Sequence, residues 1–218
     1  MEKLPLDIFP DPGNTEPEGL VAYGGDLSPE VLLTAYLKGI FPWFSENDPI
    51  LWWSPDPRMI LYPENIKVSA SLRQTIKKQK FEIRFDTCFD EVIKNCARIK
   101  RKDQESTWIT EDMQPAYIRL HQMGYAHSVE AFEQGKLVGG LYGLTLGKIF
   151  CGESMFTKVN DASKVAFHAL VDKLIHLDYA FIDAQTPTDH LKSLGAEEIP
   201  RNTFLALLEK YISLQVYW

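Results

Sequence analysis

The chain has 218 residues, 45% of them hydrophobic, which is enough apolar side chain for a real core in one large domain or two small ones. No apolar run is long enough to span a bilayer, and residues 1–7 lack the basic-then-apolar order of a signal peptide, so a cytoplasmic protein is expected. The net charge of −7 argues against a polyanionic partner for the surface as a whole. The three cysteines, Cys88, Cys96 and Cys151, show no paired spacing and leave an odd thiol, which favours a reducing compartment. The five histidines form no ligand pattern, and no metal is expected.

Residues 1–20 hold Pro5, Pro10, Pro12, Gly13 and Pro17 and read as an irregular arm over the domain. Ser28 as N-cap, Pro29 in the first turn and Gly39 as terminator predict a helix over 29–38. Residues 41–58 contain three tryptophans and four prolines, a composition that predicts aromatics on rigid loops. Such aromatics either seal a core or form stacking surfaces. A short strand follows at 59–61, then a helix over 72–79 capped by Ser71, a strand at 81–85 and a helix over 89–99.

This part of the chain is basic. Between Lys67 and Lys102 eleven Lys or Arg stand against four acids, while the remainder carries 12 against 26. The segment reads as a small basic α/β lobe, either a phosphate patch or two solvated helix faces.

Thr110 caps a helix closed at Gly124, with Tyr117 and Leu120 on its apolar side. From His127 the order is strand, turn at Gly135, long hairpin, helix, strand, short helix, strand, helix. The hairpin has strands at 141–146 and 149–156 joined at Gly147-Lys148. Gly139, Gly140 and Gly152 interrupt the strand pattern, as at a bulge or a close backbone approach. Glu153 lies in a run of Ile, Phe, Cys, Met and Phe, a poor place for a solvated charge unless it sits on the wet face of an edge strand. Helix 162–176 carries one apolar stripe and is capped by Asp161. The apolar run 179–182 reads as a central strand ending in Asp183-Ala184-Gln185, at the strand end where open α/β sheets place ligands. A turn cap and a surface amide are the structural alternatives for Asp183 and Gln185.

Seven words of sequence, in order along most of the chain, carry a resemblance to a known family. They are Gly24-Gly25-Asp26-Leu27-Ser28-Pro29, Gly39-Ile40-Phe41-Pro42-Trp43-Phe44, Trp52-Trp53-Ser54-Pro55-Asp56-Pro57-Arg58, Thr107-Trp108-Ile109-Thr110, Cys151-Gly152-Glu153-Ser154-Met155-Phe156, Ala162-Ser163-Lys164, and Asp189-His190-x-x-Ser193-Leu194-Gly195-Ala196. Together they resemble the leucyl/phenylalanyl-tRNA protein transferases.

The resemblance implies transfer of Leu, Phe or Met from aminoacyl-tRNA to a protein with N-terminal Arg or Lys, which creates an N-degron. It implies an α/β fold with a small basic N-terminal domain followed by an acetyltransferase-like (GNAT-type) domain, whose mixed sheet is flanked by helices. On this reading residues 1–64 are the arm and aromatic loops, 65–104 the basic lobe completing the N-terminal domain, and 105–218 the catalytic domain. The phosphate loop of coenzyme A users is absent from the sequence, which fits a tRNA donor, and no cofactor is expected.

By the same resemblance Asp183 and Gln185 form a catalytic pair, Asp183 orienting Gln185, with Glu153 positioning amino groups. Trp43 and Trp108 grip the terminal adenosine; stacking of this kind contributes roughly 1–3 kcal/mol per base. Tyr36, Tyr117, Leu141, Phe150, Met155 and Leu170 form the aminoacyl cup, though each also fits a plain core. Lys77, Lys78, Arg98, Lys100, Arg101 and Lys102 hold the tRNA acceptor stem. Two rival readings stand beside this one: a thiol acyltransferase using Cys151, and a tRNA- or degron-binding module without catalysis.

Overall fold

The computed structural model describes residues 8–99, 108–214 and 216–218. Its first sheet is small and antiparallel, ordered β1 (Leu20–Tyr23), β3 (Leu51–Trp53), β2 (Phe41–Pro42). Part of the aromatic stretch expected as loop is therefore strand. The proline-free Leu51–Trp53 takes the central position, and Pro42 sits on an edge, where a missing N–H is tolerated. Helix α1 (Pro29–Leu37) lies between β1 and β2 in the chain, close to its expected bounds.

The second sheet has seven strands in the order β10 (Glu197–Ile199), β4 (Arg58–Leu61), β9 (Phe181–Gln185), β8 (Ile149–Thr157), β7 (Lys136–Leu146), β6 (Ala126–Glu133), β5 (Glu82–Phe85). All its pairings are antiparallel except β8 with β9. This is the mixed sheet flanked by helices expected for the fold. β4 and β5, from upstream of residue 105, belong to the same sheet as the downstream strands.

Two features of this sheet make room for a site. The parallel pairing of β8 and β9 covers only Ile149↔Phe181, Phe150↔Ile182 and Cys151↔Asp183, after which no further pairs form. On the other side of β8 the register shifts: Tyr142 faces Ser154 while Gly143 faces Gly152, leaving Glu153 as the extra residue of a β-bulge. The strands part at the same level as the bulge.

Helices cover both faces. One face carries α1, α3 (Phe89–Arg98), α4 (Met113–Gln122) and α7 (Arg201–Ile212) over a core that includes Leu32, Val92, Ile93, Leu120 and Phe204. The other carries α2 (Ala70–Lys77) and α5 (Ala162–His176), with Leu72, Val165, Ala166, Leu170 and Leu174 inward. The glycine pair in β7 serves both layers. A Cβ on Gly139 would lie 2.6 Å from that of Ala162 in α5, and one on Gly140 would lie 2.8 Å from the Val129 carbonyl.

Several local expectations are corrected. α2 and α3 lie on opposite faces of the sheet, so the basic segment is not one compact lobe; their apolar stripes bury against different layers. α2 starts at Ala70 and is capped by Ser69, whose Oγ accepts from Leu72 N at 3.2 Å, in place of Ser71. Asp161 precedes α5 with φ of 68° and makes no capping bond; its carboxylate accepts instead from Thr75 Oγ1 at 3.2 Å, tying α2 to α5. The end of β9 at Gln185 is as expected, held by β4, which pairs it as far as Met59↔Gln185. Among the described residues no helix is long and apolar enough to cross a membrane.

Candidate active site

A cavity of about 630 Å³ opens where β8 and β9 separate. Glu153 and Gly152 line it from β8, Ala184 and Gln185 from β9, and Thr186 to Thr188 from the loop that follows. The apolar wall includes Leu141, Phe150, Met155 and Leu170, and Trp43 and Trp108 also line the space. Trp43 is 42% exposed, stands edge-on to Trp53 at 6.0 Å, and its carbonyl accepts from Trp53 Nε1 at 2.7 Å. The hairpin, the central strand, α5 and the aromatic stretch thus converge on one cavity.

Glu153 is the charged centre. Although it lines the cavity it is only 8% exposed, because the bulge turns its side chain among buried neighbours. Tyr36 donates to Oε1 at 2.7 Å, Tyr117 to Oε2 at 3.2 Å, and Gln185 Nε2 to Oε1 at 2.9 Å. The two tyrosine hydroxyls also lie 2.6 Å apart. With Glu153 ionised, two hydroxyl protons must serve three contacts among these groups. A protonated carboxyl supplies the third.

Burial is the main cause of a further effect: the Glu153 carboxyl is pushed up to about 7, helped by the Asp183 carboxylate and opposed by the hydrogen bonds from Tyr36, Tyr117 and Gln185. The Tyr36 and Tyr117 hydroxyls are held well above their ordinary range, first by burial and then by the Glu153 charge. They stay protonated donors. Both were expected in the aminoacyl cup, but they stand behind Glu153 and do not line the cavity. Their polar ends answer the buried carboxylate, a demand that apolar periodicity cannot reveal.

Asp183 does not line the cavity either. At 2% exposure it accepts a fork from Arg58, Nε to Oδ1 at 2.8 Å and Nη2 to Oδ2 at 2.7 Å. The guanidinium carbon also lies over the rings of Phe41 and Phe204, at 4.9 and 4.3 Å. Asp183 Oδ1 further accepts from the backbone N–H of Gln185 at 3.0 Å. That bond holds Gln185 in a left-handed conformation, φ 64°, in which its side-chain amide reaches Glu153. The Asp183–Gln185 link therefore runs through the backbone and not through the amide group. With Nε2 committed to Glu153, the amide retains its carbonyl oxygen as an acceptor.

Sequence reasoning passed over Arg58 and His190. Each stood inside one of the quoted words, and Arg58 closes the Trp52-to-Arg58 word. His190 lines the cavity from α6 (Asp189–Ser193), and its imidazole is pushed below the ordinary range by burial and by Lys164. Cys151 is buried and outside the cavity lining. Burial and the Asp183 carboxylate push its thiol well up, the opposite of what a thiol nucleophile requires. Among the described residues no cluster of three His, Cys, Asp or Glu has metal-binding geometry. Lys77 on α2, Lys78 at its C-cap and Arg98 on α3 are exposed and do not line the cavity; Lys100, Arg101 and Lys102 lie outside the described residues.

Two family models match in tandem. The one described as leucyl/phenylalanyl-tRNA protein transferase N-terminal domain covers residues 25–56, and the one described as leucyl/phenylalanyl-tRNA protein transferase covers residues 60–209. The leucyl/phenylalanyl-tRNA–protein transferase of Sulfurimonas denitrificans is 55% identical over 202 residues, spanning 93% of this chain and 88% of the relative. That of Syntrophobacter fumaroxidans is 54% identical over 205 residues, spanning 94% and 88%. The Azoarcus sp. enzyme of the same name is 54% identical over 197 residues, spanning 90% and 83%. With two models in sequence order and more than half its residues shared over nine-tenths of its length, the chain belongs to the leucyl/phenylalanyl-tRNA protein transferase family.

Proposed function

We propose that this aminoacyltransferase moves Leu, Phe or Met from aminoacyl-tRNA to the N-terminal Arg or Lys of an acceptor protein. The observation that carries this is one cavity lined both by apolar side chains and by the Glu153–Gln185 pair, the Glu153 carboxyl being pushed up to about 7. An acyl group with a hydrocarbon side chain and an amine nucleophile need those two surfaces together.

The reaction is aminolysis of an ester. An unperturbed α-amine has a pKa of about 7.7–8.0, so only part of it is free at neutral pH. The Gln185 carbonyl holds the amine by a hydrogen bond, and Glu153 takes up its proton as nitrogen attacks the ester carbonyl. A carboxyl near neutrality suits this transfer, since it can take a proton and release it again. The carbon–nitrogen bond forms, the carbon–oxygen bond to ribose breaks, and the ribose oxygen leaves with a proton. Glutamine does not titrate, so Gln185 acts by hydrogen bonding and orientation. Asp183 is a positioning residue, acting through the backbone of Gln185. Tyr36 and Tyr117 hold Glu153.

Leu141, Phe150, Met155 and Leu170 form the cup for the aminoacyl side chain, and the thioether of Met155 adapts to branched and aromatic shapes alike. Trp43 and Trp108 stack on the terminal adenosine. Lys77, Lys78 and Arg98, with Lys100, Arg101 and Lys102, attract the tRNA backbone, a contact that adds affinity with little sequence information. The product carries a large apolar N-terminal residue, the form of an N-degron.

The test is transfer of radiolabelled leucine from Leu-tRNA to peptides differing only in their first residue, by wild type and Gln185→Ala. Transfer to Arg and Lys peptides alone, with at least a roughly tenfold loss in the variant, is expected; tenfold is about 1.4 kcal/mol of barrier. A folded wild type that binds the tRNA and yields no product would overturn the catalytic reading.

A further inference from the structure

Phe150 forms part of the cavity wall, and its ring is supported by a residue distant in sequence that does not line the cavity. Trp218 stacks on it with centroids 5.8 Å apart and planes 23° from parallel. β7 approaches the same ring directly: a Cβ on Gly143 would lie 2.6 Å from two of the Phe150 ring carbons and 2.2 Å from the Cys151 carbonyl. The ring is thus confined by backbone at Gly143 and by the indole of Trp218, and Phe150 is only 1% exposed.

Trp218 is in turn anchored. Its Nε1 donates to Asp86 Oδ2 at 2.7 Å, and the same oxygen faces His127 Nδ1 at 2.8 Å. The other Asp86 oxygen accepts from the backbone of Ser128 at 2.7 Å, which fixes the carboxylate to β6. The His127 ring stacks on Trp218 at 4.5 Å, and Lys173 Nζ sits 4.1 Å from the indole centroid. A surface aromatic that merely covered apolar atoms would need none of these polar contacts. Here they hold the indole in one orientation against Phe150.

We propose that Trp218 is a specificity-determining residue: by backing Phe150 it fixes the depth of the cavity and so the choice between leucyl and phenylalanyl donors. This rests on the reading of the cavity as the aminoacyl cup. Trp218 touches no substrate and acts through Phe150. Removing the indole leaves space into which the Phe150 ring can withdraw, and the enlarged cup gains most for the larger aromatic side chain. Apolar pockets discriminate by about 10- to 200-fold per methylene-sized difference, so loosening one wall changes preference without abolishing transfer.

The experiment offers equal Leu-tRNA and Phe-tRNA in competition to a peptide beginning with Arg, using wild type, Trp218→Ala, Trp218→Phe and Asp86→Asn. Trp218→Ala is expected to lower the Leu to Phe product ratio at least about fivefold, Trp218→Phe to keep it within about twofold, and Asp86→Asn to fall between. A ratio unchanged within about twofold in Trp218→Ala, even with both rates reduced, reveals a merely structural role and overturns the proposal. Should that variant fail to fold, Asp86→Asn decides, since it keeps the indole and removes the charge that orients it; an unchanged ratio there is equally fatal. Wild type that transfers neither amino acid overturns the cup assignment itself, a result distinct from unchanged selectivity.

Discussion

Replacing Arg58 by methionine tests the support behind the site. Arg58 and Asp183 are 1% and 2% exposed, and the guanidinium supplies both bonds of the fork. Breaking a buried pair from one side costs about 3–5 kcal/mol, because the remaining charge is left without its partner. The contacts over Phe41 and Phe204 add about 0.5–2 kcal/mol each, part of which the methionine side chain returns by packing. We expect a net loss of about 4 kcal/mol, within the roughly 5–15 kcal/mol typical of a folded domain. At a slope of about 2–3 kcal/mol/M, the urea midpoint falls by about 1.5 M.

The double variant Arg58→Met/Asp183→Asn removes the stranded charge but keeps an acceptor for the Gln185 backbone N–H. It should regain at least about 2 kcal/mol over the single variant and, if Asp183 acts only by holding Gln185, recover transfer to within about tenfold of wild type. Urea melts and single-turnover transfer on the same preparations measure both. A single variant that loses less than about 1 kcal/mol, or a double variant no more stable than the single, would refute the reasoning.

Glu153→Gln should change two pH profiles. In wild type the transfer rate is expected to rise as pH passes through about 7, where Glu153 ionises, and the variant should lose that limb; an identical limb in both would assign the titration elsewhere. For stability the sign is opposite: the folded-state pKa lies above the ordinary 4.5, so the contribution of Glu153 is full below about 4.5 and is lost as pH rises to about 7. The variant should therefore gain on wild type by up to about 3 kcal/mol across that window, measured by denaturation at several pH values. In filter-binding assays, tRNA affinity should fall steeply between 50 and 200 mM salt, and Lys77→Ala/Lys78→Ala should flatten the log–log slope by up to about 2. An unchanged slope would remove α2 from the tRNA surface.

The sequence alone was enough for the family and for most of the element order. The apolar stripe of residues 162–176 is helical by its own spacing, before any packing partner is known. Glu153 was also marked by its surroundings, since a carboxylate between Gly152 and Ser154 in an apolar run has no inexpensive location.

Tertiary structure decided everything that depends on which strand lies beside which. β4 is inserted next to β9, and only that pairing brings Arg58 to Asp183, 125 residues away. The placement of α2 and α3 on opposite faces separates charges that look like one patch along the chain. Tyr36 and Tyr117 read as core residues because helical periodicity reports burial; it does not report the partner of a hydroxyl at the far end of a ring. The bulge that frees Glu153 and the early parting of β8 from β9 are failures of pairing. Gly152 inside the strand pattern marked the bulge in the local sequence, whereas the parting of β8 from β9 is set by the neighbouring strands and is not written there.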